Sequence, residues 1–151
     1  CGAKANVGET VLYKLLYFTD FNYYELYEEY LTGATYRKIS YGPAPCDFKK
    51  TIDEMIKDKQ IKKLTTDYYG MLQKKCLPLV NTDINKWHWS AREKEVIDQV
   101  IEELSSMDAR KISEYSHEDI PWEVTPDREI INYDTVFYRK PSYSKRSYPE
   151  E

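Results

Sequence analysis

The sequence predicts a mainly α fold of the α+β class, with about five helices around a central buried helix and one small β-hairpin. Three observations predict it. Glu9 to about Glu29 carries apolar side chains at i, i+3, i+4 and i+7 spacings, with tyrosines filling most of the remaining circumference. Ser90 stands three residues before Glu93, the spacing of a capping box, ahead of the stripe Val96, Ile97, Val100, Ile101 and Leu104. Two short runs, Gln60 to Thr66 and Met71 to Leu79, flank the turn-forming Asp67-Tyr68-Tyr69-Gly70.

In chain order, the Glu9–Glu29 helix comes first, and a helix apolar nearly all round is buried on several sides. Asp20 lies inside it, where an unpaired carboxylate is costly. The expected partners are backbone N–H groups, Arg37, Lys38 or His117, which would make Asp20 an anchor for the loop around Tyr41-Gly42-Pro43 or for the segment around His117. The bland alternative puts Asp20 on a narrow exposed stripe. Thr32-Gly33 ends the helix, and Thr35, Tyr36 and Ile39 favour an extended segment. Gly42-Pro43-Ala44-Pro45 forces a turn, because Pro43 moves Gly42 out of the helical region and Pro45 can open the next helix, which runs to about Lys57.

The hairpin follows, and then a loop from Asn81 to Trp89 with Trp87 and Trp89. The Ser90 helix ends at Ser105-Ser106, and a short helix from about Asp108 to Tyr115 leads into Ser116-His117. Thr125-Pro126-Asp127 is a turn, and Ile130 to Tyr138 reads as a last strand or a short helix. Residues 1–140 form one expected domain, and the Ser-, Tyr- and Pro-rich 141–151 a loosely ordered tail.

Composition narrows the function classes. The 151 residues are 41% hydrophobic and 32% charged, enough apolar material for one core. No run approaches the ~18–20 apolar residues of a membrane span. The chain begins with Cys1, so it reads as processed or as a piece of a longer protein; the piece is preferred to a lipoprotein because a helix pattern starts by about Glu9, with no polar tether. Cys1, Cys46 and Cys76 show no C-x-x-C spacing, which suits a reduced, cytoplasmic setting. The net charge of −4 argues against nucleic-acid binding as the main task. Fifteen tyrosines suit contact surfaces, although half or more are expected simply to line the edge of the core.

Reactive chemistry is not expected. His88 and His117 are the only histidines, and they make no clustered zinc pattern with the cysteines. Ser116-His117-Glu118-Asp119 holds triad letters in a row, but adjacent side chains do not converge, and no nucleophile elbow or phosphate loop accompanies them. His117 reads as a helix cap or the occupant of a hydrogen-bonded niche. The order helix, hairpin, helix also fits a winged-helix DNA-binding regulator. Against that alternative, Lys49, Lys50 and Lys57 alternate with Asp47, Asp53, Glu54 and Asp58.

Read together, Lys14 to Asp20 (K-L-L-Y-F-x-D), Thr32 to Tyr36, Tyr41 to Pro45 (Y-G-P-x-P), Ser116 to Trp122 (S-H-E-x-x-P-W) and Val136 to Arg139 resemble the Panacea domain, the SocA-like antitoxin family also met in phage-associated proteins. The resemblance runs from about Val7 to Arg139. It implies a helix-rich fold with small β elements and an antitoxin role: the domain binds and neutralises a cognate protein toxin, in one member as an adaptor to an AAA+ protease. It brings no catalytic residue, metal or cofactor. Asp20, Gly42, Pro43, His117 and Trp122 are then structural motif residues, with Trp122 plugging a helix end into the core. The toxin-contacting candidates are aromatics expected to be exposed near the Gly-Pro turn and the tryptophan loop: Tyr36, Tyr41, Trp87 and Trp89.

Overall fold

The computed structural model describes residues 3–80 and 89–148; Trp87 and most of the expected tryptophan loop lie outside them. Within these limits the fold is mixed α+β: five α-helices, one 3-10 helix and two small antiparallel hairpins. None of the described helices is long and apolar enough to cross a membrane.

Helix α1 spans Glu9–Tyr27 and ends two residues before the expected Glu29. Glu28 takes a left-handed conformation and donates its N–H to the Tyr24 carbonyl, which stops the helix. Val11, Leu15, Tyr17, Phe18 and Phe21 enter the core. Lys14, Asp20, Asn22 and Glu25 are buried with them, so this helix carries four polar side chains into the interior rather than one. It touches α3, α4, the 3-10 helix and strands of both hairpins.

The first hairpin replaces an expected extended segment and turn. Strand β1 (Tyr36–Ile39) pairs antiparallel with β2 (Gly42–Pro45), with Lys38 opposite Pro43 and Tyr36 opposite Pro45. Both prolines lie in the strand, and α2 (Phe48–Lys57) opens after Asp47 rather than at Pro45. A two-stranded ribbon has open edges, which tolerate prolines that cannot donate to a ladder. The other edge of β1 is covered by the segment around Ile130, through Lys38 N–H to Glu129 O and Ile131 N–H to Tyr36 O.

The second hairpin, β3 (Ile61–Tyr68) and β4 (Met71–Pro78), sits where the sequence places it. Tyr69 and Gly70 both have positive φ, 50° and 80°, the geometry of a two-residue primed turn, and the Asp67 carboxylate accepts the Gly70 N–H at 2.8 Å. Helix α3 (Ala91–Leu104) starts on the expected capping box: Ser90 Oγ accepts Glu93 N–H, and Glu93 accepts Ser90 N–H. It buries Val96, Val100 and Leu104.

Helix α4 (Ala109–His117) is capped by Asp108, and the four-residue α5 (Ile120–Glu123) follows. Tyr133–Tyr138 forms the 3-10 helix, which settles the strand-or-helix alternative for that region. Tyr143 is buried, while Ser144 Oγ, Lys145 N–H and Tyr148 OH all donate to the Glu25 carboxylate on α1.

Candidate functional site

The motif segments converge on three buried polar clusters. The first is the Asp20 pin. Its carboxylate accepts the Thr32 N–H at 2.9 Å, the Thr32 hydroxyl at 2.7 and 2.8 Å, and the Tyr36 hydroxyl. Burial raises the Asp20 pKa, and the bonds from Tyr36 and Thr32 oppose that. Asp20 therefore does anchor, but to the turn after α1 and the start of β1, and not to Tyr41-Gly42-Pro43 or the His117 segment. Tyr36 is 1% exposed, which corrects its placement among the surface aromatics: its ring packs edge-on to Tyr17 and Phe21, and its hydroxyl belongs to Asp20.

The second cluster holds α1, α5 and the C-terminal segment together. Arg139 donates to both carboxylate oxygens of Asp119 at 2.9 and 2.8 Å, to Asn22 at 2.8 Å and to Glu25 at 3.2 Å. Tyr17 adds its hydroxyl to Asp119 at 2.7 Å. Arg139 and both carboxylates are buried, and a two-pronged Arg–carboxylate bond is the strong, directional form of this pairing. Sequence reasoning missed this cluster. Its signal was present in part, as an arginine directly after the aromatic run ending at Tyr138.

The third cluster lies under the turn of the first hairpin. Gly42 has φ 116°, and a Cβ there would meet Ser116 Oγ at 2.5 Å and Lys14 Cε at 2.7 Å. Only glycine lets the hairpin sit this close to α1 and α4. Ser116 Oγ donates to Ser113 O, within its own helix. Lys14 is fully buried, and its Nζ has no hydrogen-bond partner among the described residues. The centroid of the Tyr13 ring lies 5.8 Å from it. Burial pushes the Lys14 amine down to about 8.

His117 ends α4 and its ring stacks on Trp122, with centroids 4.3 Å apart. Burial lowers the His117 pKa, Lys14 and Lys38 lower it further, and a hydrogen bond with the Ser40 backbone opposes them. His117 Nε2 and Trp122 Nε1 are both buried without partners. Trp122 is half-buried against the core, and Lys38 Nζ lies 4.0 Å over its exposed side. Pro43 is buried in β2.

On the surface, Tyr41 is 70% exposed on the hairpin turn and Trp89 is half-buried just before α3. A separate groove of about 680 Å³ lies between the tip of the second hairpin (Tyr69, Met71, Leu72) and the N-terminal ends of α1 and α4. Helix α2 shows the mixed charge read from its sequence, with Lys49, Lys50, Asp53 and Glu54. Cys46 is exposed, Cys76 is half-buried, and both are free.

The family described as antitoxin SocA-like, Panacea domain, matches residues 12–123, well over half of the chain. No curated protein matches the chain, and no solved structure does.

Proposed function

This chain belongs to the SocA-like antitoxin family, the Panacea domain, and on that premise we propose that it binds the toxin of a toxin–antitoxin pair and neutralises it by binding, without turnover. The observation that carries the reading is the family match over residues 12–123. The interior supports it. The polar side chains of the motif segments Lys14–Asp20 and Ser116–Trp122 lie in clusters that brace the scaffold, a layout suited to holding a contact surface.

In this reading α1 is the central helix of the scaffold, and the toxin is met at the outer face of the first hairpin. Tyr41 is its exposed aromatic, and Trp87 and Trp89 are the further aromatic candidates for toxin contact. An amphipathic ring held on a hairpin turn suits such an interface, because it offers area at low entropic cost. The protein works in the cytoplasm, in bacterial or phage-associated systems, and delivery of the bound toxin to an AAA+ protease is a further step open to it.

The test is co-expression with the toxin-like gene adjacent to its own. Growth arrested by the neighbour should resume when this chain is present. Arrest that persists, with both proteins detectable, removes the antitoxin reading.

A further inference from the structure

Buried polar atoms are paired in the great majority of native structures, so each exception calls for an explanation. Among the described residues, four buried side-chain atoms lack a hydrogen-bond partner, and three of them, Lys14 Nζ, His117 Nε2 and Trp122 Nε1, belong to the cluster beneath the first hairpin. The fourth, Glu9 Oε1, has an ion-pair partner in Lys63 at 3.1 Å. The three orphans come from α1, α4 and α5; His117 stacks on Trp122, and the Ser40–Gly42 turn closes over the cluster where Gly42 presses on Lys14 and Ser116. A fully buried ammonium without a hydrogen-bond partner among the described residues is a costly feature for a scaffold to keep.

We propose that Lys14, His117 and Trp122 form a subsite for a carboxylate, supplied by an acidic side chain of the partner toxin, and that the Ser40–Gly42 turn covers it until the partner docks. The toxin as source rests on the antitoxin reading above; the chemistry of the subsite does not. A carboxylate fits the available groups. One oxygen takes the Lys14 ammonium and the other the Trp122 indole N–H. His117 Nε2 then pairs with a second proton of the lysine. A phosphate dianion would need more donors than one ammonium and one indole supply.

The cover is built to lift. Only Ser40 and Tyr41 join β1 to β2, so the cover is a short turn. Tyr36 stays fixed by Asp20, which confines movement to the turn. Tyr41 projects from that turn into solvent, where a docking partner would grip it.

Two measurements test this. In the first, the free chain is titrated with acetate at constant ionic strength set by chloride, and the Gly42 amide and Trp122 indole resonances are followed. Acetate enters when the turn opens transiently, so saturable shifts are expected in the wild type and should vanish in Lys14→Met. Shifts no larger than chloride alone produces, or equal shifts in Lys14→Met, overturn the proposal. Trp122→Phe, read at Gly42, carries the same comparison if Lys14→Met does not fold. In the second, Lys14→Met should bind the partner toxin roughly tenfold or more weakly than the wild type. Unchanged affinity overturns the toxin carboxylate as occupant. A toxin that fails to bind even the wild type, while acetate behaves as expected, removes the antitoxin reading and leaves the subsite standing.

Discussion

Lys14 holds an amine whose protonated form the fold disfavours, and the sign of its effect on stability follows from that. Its pKa is pushed down to about 8 in the folded chain from an ordinary 10.5. The penalty is therefore fully present below about pH 8 and fades as pH rises toward 10.5, where the unfolded chain also loses the proton. A gap of this size corresponds to roughly 3 kcal/mol. Lys14→Met, which keeps the stem and removes the charge, should be more stable than the wild type by about 1–3 kcal/mol at pH 7. The advantage should shrink as pH approaches 10. Buried tyrosines such as Tyr36 and Tyr133 have raised pKa values, so both proteins lose stability above about pH 10, and only the difference between them reports on Lys14. Asp20 acts in the opposite sense, as a hub of acceptors. Asp20→Ala would leave the Thr32 N–H and the Tyr36 hydroxyl unsatisfied in the interior. Denaturant unfolding should show a loss of about 2–4 kcal/mol. A change within ~0.5 kcal/mol, typical of surface positions, would remove Asp20 as an anchor.

At the scale of elements, the first hairpin is the least conventional part of the fold. Its second strand holds two prolines and a glycine, a composition that reads as a turn and not as a strand. It is held by close approach to α1 and α4 as well as by its pairing with β1. Gly42→Ala should therefore be severe. The new methyl would strike Ser116 Oγ and Lys14 Cε, and φ 116° is strained for any side chain. A loss of roughly 2 kcal/mol or more is expected in thermal or denaturant unfolding. The matching substitution Gly70→Ala meets no atom within 4 Å, and only its φ of 80° opposes it, so it should cost less. Equal losses at the two positions would show that backbone strain alone, and not the contact with Lys14, governs Gly42.

At the scale of the whole molecule, Arg139 links parts of the chain far apart in sequence. It joins α1 through Asn22 and Glu25 to Asp119 before α5, and Glu25 in turn holds Ser144, Lys145 and Tyr148. Arg139→Met would leave two buried carboxylates without their cation, and should cost about 3–5 kcal/mol. This cluster also marks where sequence reasoning ran out. Signals carried by neighbouring residues were legible: the Ser90–Glu93 box and the Asp67–Gly70 turn. The pairing of Arg139 with Asp119, 20 residues away, and with Asn22, 117 away, leaves no periodic trace in the chain. Tyr36 was misplaced for the same reason, since nothing local distinguishes a tyrosine whose hydroxyl finds a buried carboxylate from one whose hydroxyl finds water. The motif segments could be read as belonging together, but the fact that Lys14, Gly42, Ser116 and His117 meet at one place needed coordinates.

The most direct test of the account is binding of the purified wild-type chain to the toxin encoded beside it, measured by titration calorimetry with toxin activity followed in parallel. The account predicts a saturable complex of fixed stoichiometry, with toxin activity falling in step with its formation and no chemical change in the toxin. Absence of a complex at concentrations where both proteins are folded, or lost toxin activity through covalent modification rather than binding, would contradict it.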